Sequence, residues 1–95
     1  NDVMALAGLR VAQEEGVTVP RELSIASFDD SIAMRLVRPS ITALTRDTYA
    51  LGELAARTLM QVVAAGTDGI VESVAGMTPT LSVRESTAPS LEAQG

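Results

Sequence analysis

The first residues of the chain carry a helical pattern of apolar side chains. From residue 2 to residue 15 the apolar positions cover more than half of the circumference of a helix. Such a helix is typically covered on more than one side. Asn1 or Asp2 can cap its start, and Gly16 stands where a left-handed residue commonly ends a helix. We therefore predict a helix over residues 2–15 that is covered on more than one side.

Two more helices follow from the same kind of pattern. Residues 32–37 form a short helical stretch that ends before Pro39, because proline disfavours helical geometry in the residue before it. The clearest helix begins at Asp47 or Thr48 and ends at Gly66. Its apolar and small residues recur at intervals of three and four: Leu51, Leu54, Ala55, Thr58, Leu59, Val62 and Val63.

Four short apolar runs between and after these helices are typical of strands. They occupy residues 23–28, 41–45, 70–75 and 80–84. Strands that alternate with helices favour an α/β fold with mostly parallel sheets flanked by helices. Residues 88–95 show no periodicity, so we expect this tail to fray.

Composition and charge exclude several classes of function. The 12 acidic and 7 basic residues, all of the latter Arg, give a net charge of −5. An acidic segment without a cluster of basic residues is a poor candidate for binding nucleic acid alone. His and Cys are absent, so the commonest metal ligands and nucleophile–base pairs are missing. No phosphate-binding glycine loop occurs, and no apolar run could span a membrane. We therefore predict no cofactor, no metal, no membrane contact and no enzymatic activity.

The acidic pair Asp29–Asp30 is the first candidate for chemistry. A metal or acid–base site is disfavoured, because adjacent side chains project differently and no third ligand is suitably spaced. Asp29 follows the predicted strand 23–28, at the carboxyl edge of a parallel sheet, where open α/β folds bind ligands. Asn1 holds the matching place before the first helix. Both residues could instead simply cap the helices that follow them.

Six segments resemble one protein family when they are taken in order. They are NDVMALAGLR at 1–10, GVTVPRELSI at 16–25, FDD at 28–30, PSIT at 39–42, LGELA at 51–55 and PTLSVREST at 79–87. Together they resemble the C-terminal part of the effector domain in the lactose/galactose repressor family of bacterial transcription regulators. Each segment is weak alone, but the ordered set covers nearly the whole chain.

The resemblance implies a fragment of a two-subdomain, periplasmic-binding-protein-like fold. Residues 1–45 and 80–87 would belong to the C-terminal subdomain and residues 46–78 to the N-terminal one, with 88–95 as a tail. The DNA-binding headpiece would lie upstream. Because a helical pattern follows Asn1 at once and Asn1 is not an initiator Met, we expect the sequence to begin inside a longer protein.

The resemblance also implies site residues. The positions that match Asn1 and Asp29 hydrogen-bond the effector in family members. The position that matches Thr48 faces the ligand cleft and is aromatic in the lactose repressor, so Thr48 removes a stacking surface. Ser27 replaces the glycine that usually precedes F-D-D, which should affect backbone geometry more than ligand choice.

A dimer interface is the second implied site. The family dimerises through its first helix and the short helix after F-D-D, and the matching positions here are Leu6, Ala33, Leu36 and Val37. The sequence supports this prediction independently, because the first helix is too apolar to have only one buried face.

These observations predict the effector-binding and dimerisation region of a cytoplasmic transcriptional repressor. Its expected partners are a small-molecule effector, a sugar or related metabolite, a second copy of the chain, and operator DNA reached through the headpiece. A periplasmic sugar-binding protein of a transporter is the first alternative. An enzyme of a doubly wound fold is the second.

Overall fold

The computed structural model describes residues 1–66 and 78–91. Along these residues helices alternate with strands, which confirms the predicted α/β class. The elements are α1 (Asp2–Glu14), β1 (Ala26–Ser27), α2 (Ile32–Leu36), β2 (Thr42–Thr45), α3 (Thr48–Ala65) and β3 (Thr80–Ser82). The strand predicted at residues 70–75 lies outside the described residues.

Helix α1 begins and ends through local hydrogen bonds. The Asn1 Oδ1 atom accepts a hydrogen bond of 3.0 Å from the Met4 N–H, which is the N-cap bond expected from an asparagine. At the other end Gly16 has a φ of +72°, and the Val17 N–H donates to the Ala12 carbonyl over 2.8 Å. This is a Schellman ending, so the predicted role of Gly16 is confirmed.

Helix α3 ends as its sequence predicts, and α2 begins differently. The Asp47 carboxylate caps α3 by accepting from the Ala50 N–H over 3.0 Å, and Gly66 ends the helix with a φ of +74°. Ser31 is the N-cap residue of α2, but its side chain makes no capping hydrogen bond.

The strands form a three-stranded sheet in the order β1-β2-β3. Strand β2 lies parallel to β1, with Ala26 opposite Thr42, and antiparallel to β3, with Thr45 opposite Thr80. The sheet within the described residues is therefore mixed, whereas the sequence pattern predicts mostly parallel pairing.

Strand β1 is shorter than the apolar run 23–28 predicts. The residues before Ala26 bond to a returning segment instead of continuing the strand ladder. The Ile25 N–H donates to the Ser86 carbonyl over 3.0 Å, and Ser24 Oγ accepts from the Ala88 N–H over 3.2 Å. Ala88, the first residue of the tail that the sequence predicts to fray, is therefore held by Ser24.

Contacts divide the chain into two compact units. One comprises Asn1–Thr45 and Thr80–Gly95, here called the sheet unit, and the other is Arg46–Pro79, here called the insert unit. The core of the sheet unit is small and contains Ala5, Leu9, Met34, Ile41 and Ala43. The insert unit contains α3, none of whose described side chains is buried. That these units are the C- and N-terminal subdomains remains a prediction from the resemblance.

Ser86 connects several parts of the sheet unit. The whole residue is buried. Its hydroxyl donates to the Ile25 carbonyl and accepts from the Thr42 N–H over 2.9 Å, while its own N–H donates to the Ser40 carbonyl over 2.8 Å. One serine therefore satisfies backbone groups on both sides of the β1–β2 pair.

Replacing Ser86 by Ala should destabilise the full-length protein strongly. The Ser86→Ala change leaves the Thr42 N–H and the Ile25 carbonyl without their partner in a buried place, which should cost about 2–5 kcal/mol. Urea unfolding measures this cost. The matched Ser24→Ala change, at an exposed serine, should cost under about 1 kcal/mol. Equal unfolding midpoints for the two variants would contradict the assignment.

Candidate functional site

Asp29 lies two residues after β1, and its carboxylate is exposed. No hydrogen bond or ion pair connects that carboxylate to any residue that the structure describes. Its backbone, in contrast, is held by Ser27: the Asp29 N–H donates to Ser27 Oγ over 3.2 Å, and the Asp29 carbonyl accepts from the same hydroxyl over 2.7 Å. The alternative that Asp29 caps α2 is wrong, because Ser31 is the cap residue.

Asn1 is exposed at the start of α1 and does cap it. The cap uses Oδ1 only. The amide Nδ2 of Asn1 makes no hydrogen bond to the described residues, so it can still donate to a ligand. Capping and ligand contact are compatible at this residue. Its ligand role remains a prediction.

The three predicted ligand residues fall into two units. Asn1 and Asp29 share the sheet unit, in which α1 packs against β1. Thr48 is the first residue of α3 in the insert unit, and it is exposed. The structure thus brings Asn1 and Asp29 into one compact unit and leaves the role of Thr48 as a prediction.

Asp30 has a different environment from its neighbour. Arg84 donates from Nη1 to Oδ1 and from Nη2 to Oδ2, both over 2.8 Å, and Thr45 Oγ1 donates to Oδ2 over 2.7 Å. The side chains of Asp30 and Arg84 are only 4% and 15% exposed. These hydrogen bonds from Arg84 hold the pKa of the Asp30 carboxyl below its ordinary value of 3.8. Asp30 also raises the pKa of Arg84.

The ion pair belongs to a wider network. Arg84 Nη1 also donates to the Ile41 carbonyl over 2.8 Å, and the Thr45 hydroxyl shares a short hydrogen bond with Ser82. The segment after β1 is thereby tied to β2, to β3 and to the residues after β3. Sequence analysis missed the ion pair of Asp30, because its partner Arg84 is 54 positions away.

Asp29 and Asp30 therefore do not form a shared acidic site. Arg84 occupies both carboxylate oxygens of Asp30, so that these oxygens are committed to an ion pair. Across residues 1–66 and 78–91 no group of three or more acidic, His or Cys side chains is placed to hold a metal ion. The exposed Asp29 carboxylate therefore offers hydrogen-bond acceptors rather than part of a metal site.

The predicted interface residues lie on α1, on α2 and at Val37, the residue that directly follows α2, and the two helices contact each other. Leu6, Ala33 and Val37 are partly buried against the core, while Leu36 is 70% exposed. Sequence analysis missed Ile32, which is also exposed and lies four positions before Leu36 on the same face of α2. That spacing was the signal. These five residues, Leu6, Ile32, Ala33, Leu36 and Val37, are here called the α1–α2 surface.

Residues 1–87 match the family of periplasmic binding protein-like domains, and the chain belongs to this family. Within it the similar proteins are regulators of transcription. The chain is 36% identical over 88 residues to the HTH-type transcriptional regulator MalR of Streptomyces coelicolor, and 33% identical over 87 residues to the HTH-type transcriptional repressor PurR of Haemophilus influenzae. These alignments cover 93% and 90% of this chain.

Solved structures agree with the sequence relatives. The crystal structure of a LacI family transcriptional regulator from Bifidobacterium animalis superposes with a TM-score of 0.81 at 43% identity, over 95% of this chain and 32% of that one. The chain spans about a quarter of the length of MalR and PurR. The predicted resemblance to the lactose/galactose repressor family is confirmed, and these relatives are transcriptional regulators rather than enzymes.

Within the part of the chain that the structure describes, no helix is both long enough and apolar enough to cross a membrane.

The buried ion pair should contribute to stability in a pH-dependent way. Asp30→Asn leaves Arg84 buried without its counter-charge, which should cost the full-length protein about 3–5 kcal/mol near neutral pH. Because the pKa of Asp30 is lowered by folding, this contribution is present above pH 3.8 and is lost as pH falls through the lowered folded value. Urea unfolding from pH 6 to pH 3, at about one-unit steps, follows the difference between wild type and variant.

Asp29→Asn is the matched control for this ion pair. It makes the same chemical change at the adjacent residue, but the exposed Asp29 carboxylate has no partner among the described residues. We expect this variant to unfold within about 0.5 kcal/mol of wild type at every pH. A loss of stability in Asp29→Asn equal to that in Asp30→Asn would contradict the assignment.

Proposed function

We propose that this chain is the effector-binding and dimerisation region of a bacterial DNA-binding transcriptional repressor. The observation that carries the proposal is the Asp29 carboxylate, which is exposed and unpaired within the described residues, although its backbone and its neighbour Asp30 are firmly bonded. A carboxylate of this kind, at the carboxyl end of a strand, is suited to accept hydrogen bonds from a ligand. The regulators to which the chain is similar support this assignment.

The effector is proposed to be a sugar or a related polyhydroxylated metabolite. A carboxylate accepts two hydroxyl hydrogen bonds at once, and the free amide Nδ2 of Asn1 donates one. Thr48 is proposed as a third contact, with a hydroxyl in place of an aromatic stacking surface.

Regulation is proposed to follow from a population shift. The effector would stabilise one arrangement of the full-length protein, and a dimer would pass this bias to DNA-binding headpieces outside the present sequence. Binding of operator DNA places this proposed function in the cytoplasm. No catalytic step is part of the proposal, since neither His nor Cys is present and the relatives are regulators.

The dimer is proposed to form through the α1–α2 surface. Leu36 and Ile32 are 70% and 62% exposed on the short helix α2, beside the partly buried Leu6 and Val37. Burying such side chains across a two-fold axis contributes about 1.5–3 kcal/mol each before association costs. A shallow groove lined by Leu6, Val37 and Arg38 continues this surface.

Asp29→Asn should weaken effector binding while folding is unaffected. The change keeps the shape of the side chain but removes the charge, so affinity should fall roughly ten- to a hundredfold. The full-length protein is first screened by thermal shift against D-ribose, D-glucose, D-galactose, maltose and lactose. The sugar that stabilises it is then titrated by calorimetry into wild type and variant.

Glu14→Gln is the control for this titration. Glu14 is an exposed carboxylate at the C-terminal end of α1 that pairs with Arg10 over 3.0 Å, and its loss should leave affinity unchanged. Wild-type affinity in Asp29→Asn, at an unchanged melting temperature, would show that Asp29 does not contact the effector.

Leu36→Asp should convert the full-length dimer to monomers. The carboxylate would be buried against an apolar partner surface, which costs several kcal/mol unless it is paired. Sedimentation velocity at micromolar concentration measures the change. Met60→Asp is the matched control, because Met60 is also 70% exposed but lies on α3. A Leu36→Asp protein that remains dimeric would refute the proposed interface.

A further inference from the structure

Ser27 bonds to the backbone of Asp29, and Asp30 directly follows it. Ser27 is only 6% exposed, and its single hydroxyl bonds to both the N–H and the carbonyl of Asp29. The buried hydroxyl thus bonds to the backbone groups on both sides of the Asp29 Cα atom. A glycine at position 27 could not make either bond, because both bonds use the side chain.

Asp30 fixes the other side of the same residue. Its carboxylate receives three hydrogen bonds, two from Arg84 and one from Thr45, and its side chain is 4% exposed. An aspartate held by three donors cannot rotate without breaking an ion pair. The Asp29 backbone is therefore bonded to the buried Ser27 and directly followed by the anchored Asp30, while its own carboxylate is exposed.

We propose that Ser27 and Asp30 are positioning residues that fix the Asp29 backbone and so present its carboxylate in one direction to an effector. The proposal rests on the proposed effector role of Asp29. Rigid presentation raises affinity because the ordering cost is met when the protein folds rather than when the ligand binds. The Ser27 hydroxyl then makes two bonds to Asp29 that a glycine at this position could not make.

Hydrogen–deuterium exchange of the effector-free, full-length protein tests the positioning directly. Ser27→Ala removes the hydroxyl and should raise exchange of the Asp29 amide about tenfold, since its hydrogen bond is lost. Exchange in α1, whose hydrogen bonds are untouched, should stay at the wild-type rate. Ser27→Thr restores a hydroxyl and should restore slow exchange.

Ser24→Ala is a closely matched control. Ser24 is in the same apolar run, and its hydroxyl also bonds to both the N–H and the carbonyl of one residue, Ala88. This variant should loosen Ala88 and leave Asp29 unchanged. Unchanged Asp29 exchange in Ser27→Ala, or an equal rise in Ser24→Ala, would overturn the role of Ser27.

Asp30→Asn tests the second anchor in the same way. At labelling times too short for the α1 core positions Ala5 and Leu9 to exchange in either protein, it should raise exchange of the Phe28–Ser31 segment. A rise seen only at the longer times at which Ala5 and Leu9 also exchange would mean that Asp30 only stabilises the fold, and would overturn its positioning role.

Affinity measurements separate this proposal from the proposed function. With the sugar selected from the five-sugar screen, Ser27→Ala should weaken binding about three- to tenfold, less than Asp29→Asn does. If Asp29→Asn leaves sugar affinity unchanged while Ser27→Ala still speeds exchange at Asp29, the effector role fails and the anchoring of the Asp29 backbone stands. If Asp29→Asn weakens binding and Ser27→Ala changes neither exchange nor affinity, the positioning role fails alone.

Discussion

The sheet unit depends on the hydrogen bonds that the segment from Arg84 to Thr87 makes to residues far before it. Strands of two, four and three residues provide few ladder bonds of their own. Ser86 bonds to Ile25, Ser40 and Thr42, and Arg84 bonds to Asp30 and to the Ile41 carbonyl. The segment V-R-E-S-T is therefore more than a family signature. Its residues supply hydrogen bonds that the short strands do not make with one another.

This constraint separates the two adjacent aspartates. The Asp30 carboxylate is paired with Arg84 and accepts a hydrogen bond from Thr45 inside the protein. Removing one partner of this ion pair would leave the other as an unpaired buried charge. Asp29 makes no such contact with the described residues, and its carboxylate is exposed. Of the two carboxylates in F-D-D, that of Asp30 is therefore bonded within the fold, and that of Asp29 is at the surface, where the proposed function places the effector.

Local signals in the sequence predicted the parts of the fold that local bonds determine. The caps at Asn1 and Asp47 and the helix ends at Gly16 and Gly66 depend on residues within a few positions of one another. The extent of β1 and the ion pair of Asp30 depend on partners more than fifty positions away, so no pattern within the apolar run could predict them. The family resemblance supplied the candidate site, but Ile32 and the hydroxyl bridge of Ser27 needed the structure.

Anchoring of Asp29 also limits how an effector could shift a population. A ligand favours one state only through contacts that differ between the states. If the Asp29 backbone is held by Ser27 and Asp30 in every state, its carboxylate contributes affinity but no bias. Under the proposed function the bias must then come from effector contacts other than that of Asp29, and Thr48 is the residue predicted for one of them. Variants at Asp29 should accordingly change how much effector is needed, whereas variants at Thr48 should change how fully the bound regulator responds.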